Sequence, residues 1–339
     1  MHINFKRNNA VNLCCVAACV LAAGPVIAAP AETPATAPAA PIPATPEAVA
    51  PASTSAPVTV PLTVAPSGKY CVGVMIDGKG PYSLLVDTGS EIMVIKPSIA
   101  KACGVTVKTG TIEVQGPTGG FVPVGQAEID TATVAGLTLK HPVCTVQENN
   151  LPYDGIIGAP LFNAGIIRLD LAGKKLTTYA ANAFTPEQTD VALPILFGSQ
   201  RVPIVEGTIG GTAANLEIDT GSSFPAELNA PFVDSHNLRD LFVKIGSVQH
   251  SSVSGVATSD VYDGQSLKLG ESEIPKLDGK IPTLFLTTPN KRKFDGRVGF
   301  PLLADTVMTF DYQNSKVYFT PQTKPDGTPA AETAQAARK

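Results

Sequence analysis

The sequence has few residues of the kinds that bind metals or form disulfides. Its four histidines are scattered, and none has a cysteine or an acidic residue at ligand spacing. Of six cysteines, three lie within the first 29 residues and the other three are widely spaced single residues, which fits neither a zinc site nor a disulfide framework. We therefore expect no metal centre.

Charged residues are also few, and their signs are nearly balanced. Lys and Arg number 25 against 29 Asp and Glu, which gives a formal net charge of −4. Such a chain has no general attraction to nucleic-acid phosphates or anionic lipids. Beyond the first 29 residues, no apolar run is long enough to cross a membrane. We therefore expect no nucleic-acid partner and no transmembrane segment in the mature chain.

Residues 1–29 have the pattern of a secretory signal peptide. Lys6 and Arg7 precede an uncharged apolar segment, and small residues at Ala28 and Ala29 fit a cleavage site. This predicts export to the periplasm or the medium. The alternative is a lipoprotein signal, because a run of small residues before Cys19 would leave that cysteine lipidated and the protein attached to the bacterial envelope. Both signal types remain open.

Removal of the signal would leave three cysteines, Cys71, Cys103 and Cys144. An odd count permits one disulfide at most. Because the three are far apart in sequence, we interpret them as buried structural thiols.

Two segments of low complexity flank a folded body. Residues 30–57 are rich in Pro and Ala and predict an extended linker, whereas the polar residues 323–339 predict a disordered tail. Between them, short β-branched runs alternate with glycine-rich turns. This alternation predicts an all-β fold.

The folded body contains two copies of one β unit. Residues 60–90 and 193–223 both pass through two strands to Asp-Thr-Gly-Ser, and Asp-Gly-x-aliphatic-Gly-x-Pro-Leu recurs at 154–161 and 295–302. An internal repeat of this kind predicts two related lobes.

Each copy places one aspartate, Asp87 or Asp219, at the end of a hydrophobic strand. If the lobes, 58–184 and 185–322, pack about a pseudo-twofold axis, these aspartates meet at the interface. Two carboxylates in one site share a proton, so one can accept a proton from water while the other donates to a carbonyl oxygen. One chain supplies both acids, and we therefore expect a monomer.

The residues after each aspartate are expected to support it. Glycine allows a tight turn and a close approach of the partner, and the threonine hydroxyls can form hydrogen bonds across the junction. The supporting turns are Thr88, Gly89 and Ser90 in the first copy and Thr220, Gly221 and Ser222 in the second.

These motifs resemble those of aspartic proteases of the pepsin and retropepsin superfamily, in a two-lobed bacterial form. The resemblance rests on Asp-Thr-Gly-Ser at 87–90 and 219–222 and on the aliphatic-Gly motifs at 156–158 and 298–299. It implies two pseudo-twofold-related lobes around a cleft, peptide or protein substrates, and an aspartic endopeptidase that needs no cofactor. The aspartates at 87 and 219 would be catalytic.

The resemblance also implies a β-hairpin flap over the cleft, and residues 114–125 occupy the corresponding place. Gly119 and Gly120 would make its tip mobile, and Phe121 would offer an apolar contact to substrate. The tyrosine of pepsin flaps is absent there. Residues 252–261 are the less similar counterpart in the second copy.

A second function remains open, which is a catalytically inactive peptide-binding protein of the same fold. Arg297 favours it, because it stands where the first copy has Ile156. We expect Arg297 at the rim of the second lobe, with its guanidinium in water or paired to an acid, so that replacing it by leucine would change activity little. Glu217 is less informative, because a strand residue two positions before the aspartate could face outward.

Overall fold

The computed structural model describes residues 56–115, 121–148, 152–180, 183–197, 201–252, 255–274, 276–277, 279–286 and 294–321. The predicted signal peptide, the disordered tail and nearly all of the linker lie outside these ranges. Within them, no helix has both the length and the apolar character that a membrane span needs.

Strands dominate the structure, which confirms the all-β prediction. The strands of the first half are β1 (Val58–Pro61), β2 (Thr63–Val64), β3 (Tyr70–Ile76), β4 (Lys79–Val86), β5 (Met93–Ile95), β6 (Thr106–Gln115), β7 (Phe121–Glu128), β8 (Thr131–Val134), β9 (Leu137–Lys140), β10 (Cys144–Val146), β11 (Gly155–Ile157), β12 (Ile166–Asp170) and β13 (Lys175–Tyr179).

The second half repeats this series of short strands. They are β14 (Val191–Pro194), β15 (Leu196–Phe197), β16 (Pro203–Ile209), β17 (Thr212–Asp219), β18 (Ala226–Leu228), β19 (Val243–Ser252), β20 (Gly255–Asp263), β21 (Leu267–Leu269), β22 (Ser272–Glu273), β23 (Pro282–Phe285), β24 (Gly296–Gly299), β25 (Val307–Asp311) and β26 (Lys316–Thr320).

The helices in the described ranges are short, and most begin with a proline in the first turn, where its fixed φ and missing N–H are tolerated. They are α1 (Pro97–Cys103), α2 (Ala159–Ala164), α3 (Ala230–Ser235), α4 (Leu238–Leu241) and α5 (Phe300–Leu303).

Two ten-stranded sheets have the same topology. The first runs β6-β7-β10-β5-β11-β4-β3-β8-β9 with β2 on β3, and the second runs β19-β20-β23-β18-β24-β17-β16-β21-β22 with β15 on β16. Every strand of the first sheet therefore has a counterpart at the same place in the second. This identity of strand order confirms the two-lobed fold, and we call the sheets the first lobe and the second lobe.

A third sheet, of six strands, joins the two halves in the order β1-β13-β12-β25-β26-β14. At its centre β12 and β25 pair antiparallel, with Leu169 opposite Met308. Both side chains are fully buried, and burial of side chains of this size stabilises a fold by about 1.5–3 kcal/mol each. The sheet thus fixes the lobes relative to each other.

Strand β4 explains how a hydrophobic run can end on an acid. It lies inside the first sheet, between β3 and β11, and its last residues are buried on both faces. Leu84 and Val86 belong to the main core, whereas Leu85 packs in a separate apolar cluster on the other face. The strand therefore carries the next residue, Asp87, into the interior of the molecule.

The three cysteines that the structure describes, Cys71, Cys103 and Cys144, are free thiols and are buried. Burial raises the pKa of the Cys71 and Cys144 thiols, which keeps them protonated and unreactive. Their interpretation as structural thiols is confirmed.

Candidate active site

The two predicted catalytic aspartates lie at equivalent strand ends. Asp87 follows β4, and its N–H donates to the carbonyl of Ile157 in β11 at 3.1 Å. Asp219 is the last residue of β17 and lies opposite Gly299 of β24 in the parallel register. Both aspartates are buried.

Thr88 and Thr220 bind each lobe to the other next to these aspartates. The Thr88 hydroxyl donates to the carbonyl of Ile218 at 2.6 Å, and the Thr220 hydroxyl donates to the carbonyl of Val86 at 2.8 Å. In return, the N–H of Thr88 donates to Thr220 Oγ1 at 3.1 Å, and the N–H of Thr220 donates to Thr88 Oγ1 at 3.0 Å. The four bonds fix the two turns against each other.

Gly89 and Gly221 bring the two carboxyl groups into one site. A Cβ on Gly89 would lie 2.6–2.8 Å from the carboxyl atoms of Asp219, and a Cβ on Gly221 would clash with the carboxyl of Asp87. Each carboxyl group therefore packs against the glycine of the opposite turn. Any larger residue would force the lobes apart at this point.

Backbone amides of each turn hold the carboxyl group of that turn. Asp87 Oδ1 accepts the N–H of Gly89 at 3.0 Å. Asp219 Oδ1 accepts the N–H groups of Gly221 and Ser222, at 2.8 and 2.9 Å. Backbone N–H groups thus fix the orientation of both carboxyl groups within their turns.

The two serines close the turns in the same way, and the second serine has an additional partner. Ser90 Oγ donates to the carbonyl of Ile92 at 2.9 Å, and Ser222 Oγ lies 3.2 Å from the equivalent carbonyl, that of Phe224. Ser222 Oγ also lies 2.7 Å from Glu227 Oε1, a second acceptor for its hydroxyl. The second turn is thus linked to a buried acid as well as to a backbone group.

The second glycine motif of each lobe packs under the aspartate turn. A Cβ on Gly158 would clash with the carbonyl of Ser90, and a Cβ on Gly299 would clash with the carbonyl of Phe224. The aspartates of these motifs, Asp154 and Asp295, lie outside the site and accept backbone N–H groups from Ser83 and Asn215 at 2.8 Å.

The predicted position of Arg297 at the rim of the second lobe is wrong. Arg297 is buried, with its Nε 3.2 Å from Glu217 Oε2 and its Nη1 3.2 Å from Asp219 Oδ2. Glu227 Oε2 lies 4.0 Å from the same Nη1. The expected pairing of the guanidinium to an acid is confirmed. The small effect on activity predicted for Arg297→Leu assumed an exposed side chain, and that assumption is wrong.

Glu217 does not take the outward position that a strand residue there could have, since it is fully buried. Its strand, β17, lies between β16 and β24, and both faces are covered near the strand end. A residue two places before Asp219 therefore cannot reach solvent on either face.

Lys69 is a residue of the site that the sequence did not indicate. It is among the largest fully buried side chains of the described residues, and its Nζ donates to the carbonyl of Gly221 in the opposite lobe. It stands 18 residues before Asp87, as Arg201 does before Asp219. This equal spacing of a cation before each aspartate is the sequence signal that could have drawn attention to Lys69. Arg201 has a different partner, since its Nε donates to Asn163 Oδ1 at 2.5 Å.

Electrostatics act strongly on Asp87 and on Arg297. Burial raises the pKa of Asp87, the charge of Asp219 raises it further, and Lys69 lowers it, so that it lies at about 7. Burial alone lowers the pKa of the Arg297 guanidinium, but its acidic neighbours more than compensate and raise it. Asp87 is therefore a carboxylic acid below neutral pH, and Arg297 keeps its charge beside Asp219.

The strands of the predicted flap are present. Strands β6 and β7 pair antiparallel up to Gln115 opposite Phe121, and β19 and β20 pair in the same way in the second lobe. Gly119 and Gly120 lie outside the described residues, and the side chain of Phe121 does too. Among the residues described, no group of three or more His, Cys, Asp or Glu side chains could hold a metal ion.

A comparison with family models matches residues 72–161 to the family described as Aspartyl protease. The match includes Asp87 and the glycine motif at 155–158, and it ends before the second copy begins. No curated protein matches the chain. Together with the repeated strand order and the paired aspartate turns, the match of residues 72–161 supports an aspartyl protease family of the retropepsin-like kind.

Proposed function

We propose that this protein is an aspartic endopeptidase that hydrolyses peptide bonds with a water molecule activated between Asp87 and Asp219. The observation that carries the proposal is the mutual packing of each carboxyl group against the glycine of the opposite turn. This packing brings two acids into one buried site, where a shared proton gives them different roles.

The reaction needs only water and these two side chains. The ionised aspartate takes a proton from water as the water oxygen bonds to the peptide carbonyl carbon, and the protonated aspartate donates its proton to the carbonyl oxygen. The resulting gem-diol then loses the amine. The C–N bond breaks, the nitrogen takes up the proton held by the first aspartate, and a diol proton returns to the second.

The surrounding residues would keep this geometry fixed before substrate binds. Thr88 and Thr220 hold the turns in register through bonds of 2.6–3.1 Å. A preorganised pair of this kind needs little rearrangement during the reaction. We further propose that the segment of Gly119, Gly120 and Phe121 covers bound substrate.

Peptides or proteins are the proposed substrates, and a monomer suffices because one chain carries both aspartates. We propose that residues 58–184 and 185–322 form the two lobes, with residues 1–29 as a signal that exports the protein to the periplasm or the medium. Lipidation of Cys19 is the alternative. Mass spectrometry of the mature N-terminus separates these two forms, and an intact Met1 would contradict both.

One observation favours the second candidate function, peptide binding without hydrolysis. The guanidinium of Arg297 lies 3.2 Å from Asp219 Oδ2, so a cation already engages an oxygen of the pair. An aspartate neutralised in this way is a weaker base towards water.

Cleavage of a mixed peptide library by the purified protein, at pH 3 to 8, tests the proposal. We expect hydrolysis that Asp87→Asn abolishes and that a statine-type inhibitor blocks. Asp130→Asn is the matched control, since the Asp130 side chain is 89% exposed, and it should cleave like the parent. Peptide binding by the parent without cleavage at any pH would favour the second candidate instead.

A further inference from the structure

The two lobes differ beside their aspartates. In the first lobe, Ile156 of β11 lies opposite Leu85 of β4 and opposite Val94 of β5. The three side chains are buried and belong to one small apolar cluster. They form the face of the sheet that lies away from the main core.

In the second lobe the same three places hold charges. Arg297 of β24 lies opposite Glu217 of β17 and opposite Glu227 of β18, and these strands correspond to β11, β4 and β5 in sheet order. All three residues are buried. The apolar trio of one lobe is therefore a charged trio, Glu217–Arg297–Glu227, in the other.

Fold stability does not explain the charged trio. Removing charges from water is unfavourable, and replacing a buried ion network by apolar residues is often neutral or stabilising. The first lobe already shows that Leu, Val and Ile fill these places. A contact outside the trio must therefore account for the charges.

That contact is with Asp219. Glu217 holds the guanidinium at Nε, which leaves Nη1 directed at Asp219 Oδ2, and both distances are 3.2 Å. Glu227 lies 4.0 Å from Nη1 and also accepts the Ser222 hydroxyl. The trio thus joins Arg297 to the aspartate and to the serine of the same turn.

We infer that Arg297 is a positioning residue that holds Asp219 as the carboxylate of the pair and so leaves the shared proton on Asp87. The inference rests on the proposed function, because it assigns Asp219 as the base towards water and Asp87 as the acid towards the carbonyl. The charged groups around Asp219 are Asp87, Lys69, Glu217, Glu227 and Arg297.

Replacing the trio by its first-lobe counterpart tests this inference. The variant Glu217→Leu/Glu227→Val/Arg297→Ile removes the cation together with the two glutamates of the trio, so that neither glutamate is left buried without its cation. We expect the acidic limb of its kcat/KM profile to move up by about one pH unit or more, because a neighbouring cation favours a carboxylate by that amount. Thermal melts should show that the variant stays folded.

A second variant keeps the cation and should not move the acidic limb up. Glu217→Leu/Glu227→Val keeps Arg297 but removes two carboxylates that partly neutralise its charge. The electrostatic attraction between Arg297 and Asp219 should therefore become stronger. We expect its acidic limb at or below that of the parent. Acidic limbs that coincide within 0.2 pH unit in the parent and in a folded triple variant would overturn the inference.

Carbon-13 NMR of the Asp219 carboxyl group keeps this test separate from the proposed function. If the parent cleaves no peptide, the function fails, but the acid titration of this carbon can still be compared between parent and triple variant. Protonation at higher pH in the triple variant supports the role of Arg297. Equal titration in both contradicts it.

Discussion

The hydroxyl groups of Thr88 and Thr220 each donate a hydrogen bond to a backbone carbonyl of the opposite lobe. Thr88 donates to Ile218, and Thr220 donates to Val86. Each hydroxyl also accepts the backbone N–H of the other threonine. The two lobes therefore depend on a pair of side chains for the alignment of their aspartate turns, and all of these groups are buried.

Thr88→Val tests this dependence. The substitution keeps the shape but leaves the carbonyl of Ile218 and the N–H of Thr220 without their partner, and a buried unsatisfied group costs about 1–3 kcal/mol. We expect the free energy of unfolding, measured in urea titrations, to fall by about 2–6 kcal/mol for the two groups together. Thr88→Ser, which keeps the hydroxyl, should lose less than half as much. Equal losses in both variants would mean that packing, not hydrogen bonding, matters here.

Asp87→Asn and Asp219→Asn should each abolish peptide hydrolysis. An amide at either position can neither accept nor return the proton that the pair exchanges. Residues that act as one unit have non-additive effects, so the double variant should be about as inactive as either single variant. Peptide-hydrolysis assays with the purified variants check this. Near-parental turnover by either single variant would contradict a mechanism in which the two aspartates act together.

The same two variants should differ in stability. The pKa of Asp87 lies at about 7 in the fold, mainly because of burial and of the charge of Asp219, against 3.8 for the free group. This raised pKa means that the contribution of Asp87 to stability declines as the pH rises from about 4 to about 7, because the carboxyl group ionises in the unfolded chain while it stays protonated in the fold.

Asp87→Asn removes that decline, so the difference in Tm between variant and parent should grow more positive from pH 4 to pH 8. Asp219→Asn instead takes a partner from the buried Arg297, and we expect a lower Tm than the parent at neutral pH. Differential scanning calorimetry of both proteins measures these shifts. A pH-independent difference for Asp87→Asn would show that this carboxyl group titrates alike in folded and unfolded protein.

The repeat made the fold and the aspartate turns predictable. Two copies of Asp-Thr-Gly-Ser after apolar strands specify two matching turns, and a duplicated chain has few ways to pack them other than face to face. Gly89 and Gly221 could be named for the same reason, because the close approach of two turns excludes side chains.

Arg297, Glu217 and Lys69 could not be placed in this way. A charged residue in a strand is normally expected at the surface, and its burial depends on partners distant in sequence, here 80 residues apart for Arg297 and Glu217. Lys69 reaches the carbonyl of Gly221 across the lobe junction, a contact that no local pattern encodes. Alignment of the two copies identifies Arg297 as an exception to the repeat. It does not show whether the side chain points to solvent or into the interior.

Lys69 is expected to set the upper end of the pH range of activity. Hydrolysis requires one proton on the pair, so kcat/KM should fall as the pH rises through about 7, where Asp87 ionises. The Lys69 ammonium lowers the pKa of Asp87, and Lys69→Met should therefore move this alkaline limb to higher pH. Lys69→Arg keeps the positive charge and is the matched control, with a limb close to that of the parent.

Lys69→Met also removes the donor to the carbonyl of Gly221, so some loss of stability accompanies the change. Loss of structure alone would lower kcat/KM at every pH without moving the limb, which separates the two effects. Profiles measured from pH 4 to 9 on variants whose melts confirm folding decide the matter. An alkaline limb at the same pH in parent, Lys69→Met and Lys69→Arg would mean that this cation does not act on Asp87, and the shared proton would then be controlled from the Asp219 side alone.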